Sequence, residues 1–574
     1  MSFSAIRSIA GSALSASQLS MQISSSNIAN ADTAGYSRKS VTQVATVTGV
    51  LGSGVAITGI GSTVDKYLLA SLMSAASTLG AATTNADFAN SLQARLGSTG
   101  SGSSSGTSLA TTITSLQSAL ASLAGTPESE TLKGLALTAL DAVATQLRET
   151  SATVQGLRSD ADHQIEDSVG SVNTALNQIA VLNKQIVAAR ARGDSSADLE
   201  DQRNTALATI TGLMDVSYYV TSGGEMRIAT TSGTTLLDSH VHELSYSAAA
   251  VATSDTVFSA ITVDGKDVTG EVRSGSIAAL IEQRDKTLPS TQAELDALAV
   301  NLMAALNGLT NSGTAAPAPA TLTGTATVSA TDAFAGTGTA RIAVVDEGGA
   351  LVSYADLDLS SFATTQDFVD ALNAIPGLSA SISSTGKLTV AATASGQGVA
   401  IADIDSTVGG KGLSAYFGLN DVVTGTGASD ITLRKGLDST QLPISRLDTS
   451  SSLTAGQPAL VTSSELSQSL ADLFSTARSF GTAGSIAAGN SSFADYAGRI
   501  VGNAASRYST AQSTLSVRQS AYDTLSSSMT SSTGVNLDEE TARITELEQL
   551  YSTAAQLLQV LNTMFEALIS AVRS

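Results

Sequence analysis

The sequence predicts an α+β, multidomain protein, with terminal coiled-coil helices and a long-helix bundle carrying β-rich middle domains. Three observations lead there: heptad spacing at both chain ends, a helical periodicity from Leu109 to Arg192, and a change to period two from Val216. At 574 residues and roughly 100 to 200 residues per domain, the chain has room for about three to five domains.

Near the N-terminus, Ala10, Leu14, Ser17, Met21, Ser24 and Ile28 recur at 4-3-4-3-4 spacing, with Ile6, Ile9, Ala13, Ala16, Ser20 and Ile23 as a neighbouring stripe. Residues 1–61 are therefore read as a terminal helix and an extended hairpin segment. A helical body follows over 62–212, interrupted by a flexible Gly/Ser loop from Gly97 to Thr107 and by a break at Gly125-Thr126-Pro127. Within it Ile165, Val169, Val172, Leu176, Ile179 and Ile186 keep one seam. Val216, Tyr218 and Val220, a Ser-Gly-Gly turn, then Met226 and Ile228 predict a hairpin in a β-rich domain at 213–274.

A return helix at 275–312 is interrupted at Pro289, and Thr314 to Ala320 reads as a Pro/Ala linker into an inserted β/α module at 313–430. That module reads as a strand pair about Gly348-Gly349, a helix with Phe368, Val369, Leu372 and Ile375, and a second strand pair. Its exit at 423–428 is rich in Gly and Thr, so both attachment points read as flexible. Residues 431–530 return to the helical body, with a heptad from Val501 to Met529. The last segment, 531–574, is a terminal helix whose Ile544, Leu547, Tyr551, Ala554, Leu558, Leu561, Phe565, Leu568 and Val572 keep strict 3-4 spacing. Leu550, Leu557 and Met564 add a flank about 60° away, so this helix wants partners on two sides. Asn536 and Glu539 fit a capping box, and Asp538, Glu539 and Glu540 suit a helix N-terminus.

Composition excludes several classes of function. Fifty acidic against 29 basic residues give a net charge of −21, which repels a phosphate backbone. There is no Cys, which removes disulfides, thiolate metal sites and Cys nucleophiles. Aromatics make up 4% with no Trp, a palette for slim helices rather than a deep catalytic pocket. The start lacks the basic and apolar regions of a Sec signal, and no stretch reads as the roughly 20 apolar residues that cross a bilayer.

The remaining motifs have plainer readings than chemistry. His240-Val-His242 with Glu243 has too few neighbouring ligands for a metal site and reads as a surface hairpin. Gly59-Ile-Gly61 and Gly336-Thr-Gly338 lack the rest of a phosphate-binding fingerprint. Val263 to Val268 lacks the spaced carboxylates of a Ca²⁺ loop and reads as a tight hairpin turn. Gly102-Ser-Ser-Ser-Gly106 spells a nucleophile elbow inside a Gly/Ser loop, without the strand an elbow needs. No catalytic, cofactor-binding or metal residue is assigned, and the chain is not expected to be an enzyme.

Ser26-Asn-Ile-Ala-Asn-Ala-Asp-Thr-Ala-Gly-Tyr-Ser-Arg38 resembles the N-terminal signature of the flagellar rod, hook and hook-associated axial proteins. Its Gly-Tyr-Ser-Arg ending is similar to the hook-associated members, since hook and rod proteins usually read Gly-Phe there. Gly534-Val-Asn-Leu-Asp-Glu-Glu540 resembles the C-terminal signature, with Gly534 where many relatives carry Ser. Asn177 to Ile186, Asp201-Gln-Arg203, Gln283-Arg-Asp285 with Leu288, and Phe417-Gly-Leu-Asn-Asp421 are similar to internal landmarks. Ala34 replaces a common Pro, which loosens the turn before Gly35. The module from Gly338 to Leu388 resembles the flagellin hook IN motif, with Leu372 in place of its usual Ile.

The resemblance implies a structural subunit of the hook-filament junction, exported without a Sec signal and located outside the cell on the flagellum. It implies as partners further copies of the chain, hook protein, hook-associated protein 3, the flagellar type III export apparatus and an export chaperone, with no cofactor, nucleic acid or membrane insertion. The alternatives are a hook or rod axial subunit, or a secreted protein whose middle domain is a surface adhesin or enzyme. The candidate assembly interface comprises Ile6, Leu14, Met21, Asn27, Ile28, Asn30, Thr33, Gly35, Tyr36 and Arg38 at one end. At the other it comprises Asn536, Leu537, Ile544, Leu547, Tyr551, Leu558, Leu561, Phe565 and Leu568. Asn30 and Gly35 also fit an ordinary turn after a helix, and the terminal heptads also fit a bundle within one chain.

Overall fold

The computed structural model describes residues 3–48, 51–62, 64–97 and 108–573. The Gly/Ser loop beyond Gly97, with the elbow-like Gly102 to Gly106, lies outside the described residues. In chain order the helices are α1 (Phe3–Ala29), α2 (Lys66–Leu96), α3 (Leu109–Gly125), α4 (Glu130–Arg192), α5 (Ala197–Leu213) and α6 (Gly275–Glu282). They continue as α7 (Leu288–Thr310), α8 (Thr365–Asn373), α9 (Leu413–Phe417), α10 (Ser464–Ser475), α11 (Phe493–Thr533) and α12 (Leu537–Arg573). The expected α+β, multidomain character is observed, with the β structure held in several small antiparallel sheets.

Two compact units are formed. The first comprises Met1–Phe88, Ser159–Arg284 and Ser509–Ser574, the second Ala89–Arg158 and Asp285–Tyr508. In the first, α1 is followed by a hairpin of strands Lys39–Thr48 and Leu51–Ser62, whose register shifts at Thr42/Gln43 and Thr46/Val47. Ile165, Val169, Val172, Leu176, Ile179 and Ile186 of α4 are all buried, as their spacing requires. A three-stranded sheet follows, Val216–Val220, Met226–Thr230 and Thr235–Leu237 in that order. Asp264 and Gly265, at φ +50° and +79°, make the tight turn between the short strands Thr262–Val263 and Lys266–Asp267.

In the second unit the interruption expected at Pro289 lies just before it. Gln283–Thr287 forms a π-helical turn within a continuous helical run, and Pro289 follows it at the start of α7. The inserted module has the strand-pair, helix, strand-pair order read from the sequence, with an additional strand on each sheet. Thr339–Asp346 lies between Leu351–Asp358 and Gln397–Asp403, and Leu388–Ala392 between Leu378–Ile382 and Thr321–Thr323. One face of the first sheet packs on Phe368, Leu372, Leu388 and Val390. Phe334, Phe368 and Phe417 stack there with centroids 5.0 and 5.7 Å apart.

The flexible attachments expected at Thr314–Ala320 and 423–428 are corrected by this packing. Thr314 exchanges backbone hydrogen bonds with Ser445 at 2.7 and 2.9 Å, and the carbonyls of Pro319 and Ala320 accept from Val399 and Ala392. A Cβ on Gly398 would stand 2.2 Å from the Ala318 carbonyl oxygen, so strand and linker touch. Val423–Thr424 pairs with Thr432–Leu433. The sheet's other face, Ala343, Val345 and Ala400, is covered by Leu447, Leu453 and Ala459. Arg341 ties the same segment down, forking onto Asp356 at 2.7 Å and donating to the Ser450 carbonyl at 2.8 Å. The segment after 430, read as helical body, thus supplies part of the module's own core.

Candidate functional site

Everything brought together from the two chain ends lies in the first unit. Helix α1 packs against α12 and against the hairpin. Its buried face is Ala10, Ala16, Ser17, Ser20 and Ser24, a mixture of the two stripes read from the sequence, together with Asn27, which lies in neither. Small side chains let the partner backbones approach closely, and Ser12 Oγ accepts the Val55 N–H at 3.1 Å. Gly54, at φ +130°, is needed there because a Cβ would stand 2.4 Å from that hydroxyl.

The larger apolar residues of α1, Ile6, Leu14, Met21 and Ile28, are half-buried. On α12, Ile544, Leu547, Tyr551 and Leu558 are half-buried and Leu561 is buried. Beyond them Phe565, Leu568 and Val572 are exposed, as are Leu550, Leu557 and Met564 on the flank. The length mismatch accounts for part of this, since α12 has 37 residues and α1 has 27, ten more. At 1.5 Å per residue, about 15 Å of α12 has no counterpart on α1. By length and composition an unburied helical stretch within Phe493–Val572 could cross a membrane, which corrects the expectation that no stretch approaches that length. Its 3-4 repeat makes helical partners the alternative cover.

The segment after α1 folds into a turn by its own hydrogen bonds. Asn30 Nδ2 donates to the Ser26 carbonyl at 2.9 Å, Thr33 Oγ1 donates to Asn30 Oδ1, and the Tyr36 N–H donates to the Thr33 carbonyl at 3.1 Å. Gly35, at φ +77°, lies against Thr205, where a Cβ would come within 2.6 Å of its hydroxyl. Asn27 then acts as a buried hub. Its Oδ1 accepts from Tyr36 Oη and from the Lys39 N–H at 3.0 Å each, while Nδ2 donates to the Lys39 carbonyl at 2.9 Å.

From this turn Arg38 reaches the start of α12. Its N–H donates to the Thr533 carbonyl at 2.7 Å, and its guanidinium meets Glu540 Oε1 at 2.6 Å and Glu539 Oε2 at 3.2 Å. Asn536 caps α12, accepting from the Asp538 and Glu539 N–H groups, so half of the expected capping box is present. Burial pushes the Glu540 carboxyl up, but Arg38 and the polar Ser24 and Asn27 side chains facing it outweigh that and hold the group below its usual range. Leu537, expected in the interface, is half exposed at this cap.

On the other side of the turn, Asp201 of α5 accepts from the Ser37 N–H and hydroxyl at 3.0 and 2.7 Å. Lys39 is buried, with Nζ 2.8 Å from both Asp198 and Asp201 and 3.4 Å above the Tyr36 ring. Burial alone would lower the Lys39 pKa, yet the two carboxylates raise it. Lys39 and Ser37 were absent from the sequence-based interface, although a basic pair beside Gly-Tyr in so acidic a chain was the available signal. The other landmarks in this unit are also buried polar hubs. Arg203 donates to Asn183 Oδ1 and the Gly224 carbonyl, and Asn183 brackets Met226 through its N–H and carbonyl. Arg284 meets Asp162 at 2.9 Å over the Phe258 ring. In the second unit, Asn311 at the end of α7 holds Asp421, and Asn307 of α7 accepts from the Val422 and Val423 amides.

His242 pairs with Asp264 at 2.6 Å, and this bond, with Asp238 at 3.6 Å, raises its pKa. Among the described residues no group of three or more His, Cys, Asp or Glu is placed to hold a metal ion.

Comparison with known proteins gives matches in sequence and in structure. Residues 100–323 match the family model of the flagellar hook-associated protein FlgK helical domain, and residues 8–36 that of the flagella basal body rod protein. Flagellar hook-associated protein 1 of Escherichia coli (strain K12) is 24% identical over 573 residues, covering 97% of this chain and 98% of its own. The protein of that description from Bacillus subtilis (strain 168) is 24% identical over 343 residues, 52% of this chain and 67% of its own. The solved structure of the flagellar hook junction protein FlgK from Burkholderia pseudomallei aligns with a TM-score of 0.47 at 16% identity, covering 80% of this chain and 99% of that one. The resemblance carried by the terminal motifs is borne out by the sequence matches.

Proposed function

We propose that the chain is a structural subunit of the bacterial flagellum of the hook-associated type, joining hook to filament through its terminal helices. The observation that carries this reading is the pairing of α1 with α12 while α12 keeps a second, exposed apolar flank. An apolar stripe of that length favours further helices as partners. The clamp of Arg38 supports it, because it sets where α12 starts relative to the end of α1, while Lys39 ties the same turn to α5. The partners are further copies of the chain and the hook and filament-side proteins, hook protein and hook-associated protein 3, with delivery by the flagellar type III apparatus and a chaperone. The place of action is the extracellular flagellum, and the work is mechanical. The interface is formed by the α1 and α12 residues named above, together with the turn from Asn27 to Arg38. A strain lacking the chain should keep its hooks and release unpolymerised flagellin. Loss of the hooks themselves would instead assign the chain to the hook or rod.

A further inference from the structure

Within the first unit, α2, α5 and the strand Val216–Val220 enclose a cavity of about 990 Å³ that the terminal helices do not line. Two tyrosines stand at it: Tyr67 is 88% exposed and Tyr219 60%. Exposed aromatic rings are scarce here. Among the described residues the others are Phe3 and Phe565, both on the terminal helices. Tyr is among the side chains that carry interface energy, since it buries a large area with few torsions to fix.

The strand Val216–Val220 is also the edge of its sheet, paired only with Met226–Thr230. Thr221 donates its N–H to the Glu225 carbonyl, so by alternation Ser217 and Tyr219 bond inward, and the backbone groups of Val216, Tyr218 and Val220 point outward. The strand carries neither Lys nor Pro, the usual means of blunting an open edge. Charge gives the third constraint. Lys66, Arg190 and Arg203 line the cavity against Glu200 and Asp215, which is 3 − 2 = +1 in a chain of net charge −21. Arg203 is buried and donates to the neutral acceptors Asn183 Oδ1 and the Gly224 carbonyl, and Arg190 shares Glu200 at 2.7 Å, so the exposed Lys66 presents the positive charge of this lining.

We propose that this cavity receives an extended acidic segment of a neighbouring copy of the chain, which adds a strand along Val216–Val220 and packs against Tyr67 and Tyr219. Strand addition supplies backbone hydrogen bonds, and the exposed Lys66 favours an acidic segment. A concave edge that takes a different surface of the next copy makes a head-to-tail contact, the kind that builds rings and helices rather than a closed dimer. The inference rests on the chain being an assembling flagellar subunit.

The absence of Cys permits a direct test in the full chain. Tyr67→Cys, Tyr219→Cys and, for comparison, the 94% exposed Val257→Cys are labelled with a maleimide, free and after incorporation at hooks in cells. All three positions are exposed, so the substitutions remove no core. We expect labelling at 67 and 219 to slow roughly tenfold or more on incorporation relative to 257, as for the solvent-excluded centre of an interface. A benzophenone attached to the thiol of the Tyr219→Cys variant should cross-link to a second copy, at a peptide rich in Asp and Glu. Unchanged labelling, or a cross-link to a different protein, overturns the inference while leaving the flagellar reading intact. Failure of the unsubstituted chain to join hooks overturns both.

Discussion

Replacing Arg38 by Ala should free the start of α12. Glu540 is 1% exposed, with Oε1 2.6 Å from Arg38 Nε. Removing one partner of a buried pair leaves an uncompensated charge and costs about 3–5 kcal/mol. Arg38 is itself 28% exposed, so water can enter the vacated space and the cost falls to about 2–3 kcal/mol. Glu540→Gln removes the charge instead of stranding it, and Arg38 keeps Glu539, so about 1 kcal/mol is expected. In a chain of two units a single melting temperature does not isolate this clamp, whereas amide exchange does. At 1.4 kcal/mol per tenfold, Arg38→Ala should speed exchange at residues 536–545 roughly 30- to 150-fold. The double variant with Glu540→Leu should lose less than Arg38→Ala alone, since no charge is left buried. Exchange within about twofold of the parent, or additive losses in the double variant, would refute the clamp. Because the Glu540 pKa is held below its ordinary 4.5, this contribution is complete above that value and is lost as pH falls through the folded-state pKa.

Asp201→Ala should loosen the turn from the other side, costing about 2–4 kcal/mol locally because it strands the buried Lys39 beside an exposed Asp198. Amide exchange at Ser37 and Lys39 reads this, and unchanged protection would count against it. Leu558→Asp with Leu561→Asp places charge in the α1–α12 seam, so the isolated chain should keep its helical circular dichroism but fail to join hooks; normal incorporation would contradict the interface. Deleting Leu322 to Lys411 should yield an insoluble or poorly cooperative protein, because it strips Phe334 and Phe368 from Phe417 and uncovers Leu447, Leu453 and Ala459. A soluble product with a sharp thermal transition would show the module to be dispensable for folding.

The helices were legible because their signals are local and repeated: the buried seam of α4 is the one its spacing marks, and α3 ends at the expected break. The hairpin after Val216 was legible through its turn residues. What spacing alone did not show was long-range cover. Leu447, Leu453 and Ala459 are unremarkable apolar residues in a loop, and only the sheet they close makes them core. The Pro/Ala stretch resembles a linker in composition, yet its carbonyls serve strand edges about 70 to 80 residues away. At the candidate site, apolar periodicity drew attention to Leu14 and Met21, whereas the closest packing on α1 is made by Ala and Ser, which carry little hydrophobic signal. Buried ionic anchors are harder still: the basic pair beside Gly-Tyr marks Lys39 only by its rarity in an acidic chain, and nothing local distinguishes Glu540 from the solvated Asp538 and Glu539 beside it.

Arg38 and Glu540 are 502 residues apart in sequence. Their contact closes a loop that contains nearly all of the middle structure, and the entropy of closing a loop grows only with the logarithm of its length. Doubling the intervening chain would add about 0.6 kcal/mol to that cost, less than one good hydrogen bond. Provided each inserted segment folds on its own account, the middle of such a chain can lengthen, shorten or be replaced over evolutionary time with almost no penalty to the joined ends. Divergence should therefore concentrate between the clamps, while the few residues that make them tolerate little change.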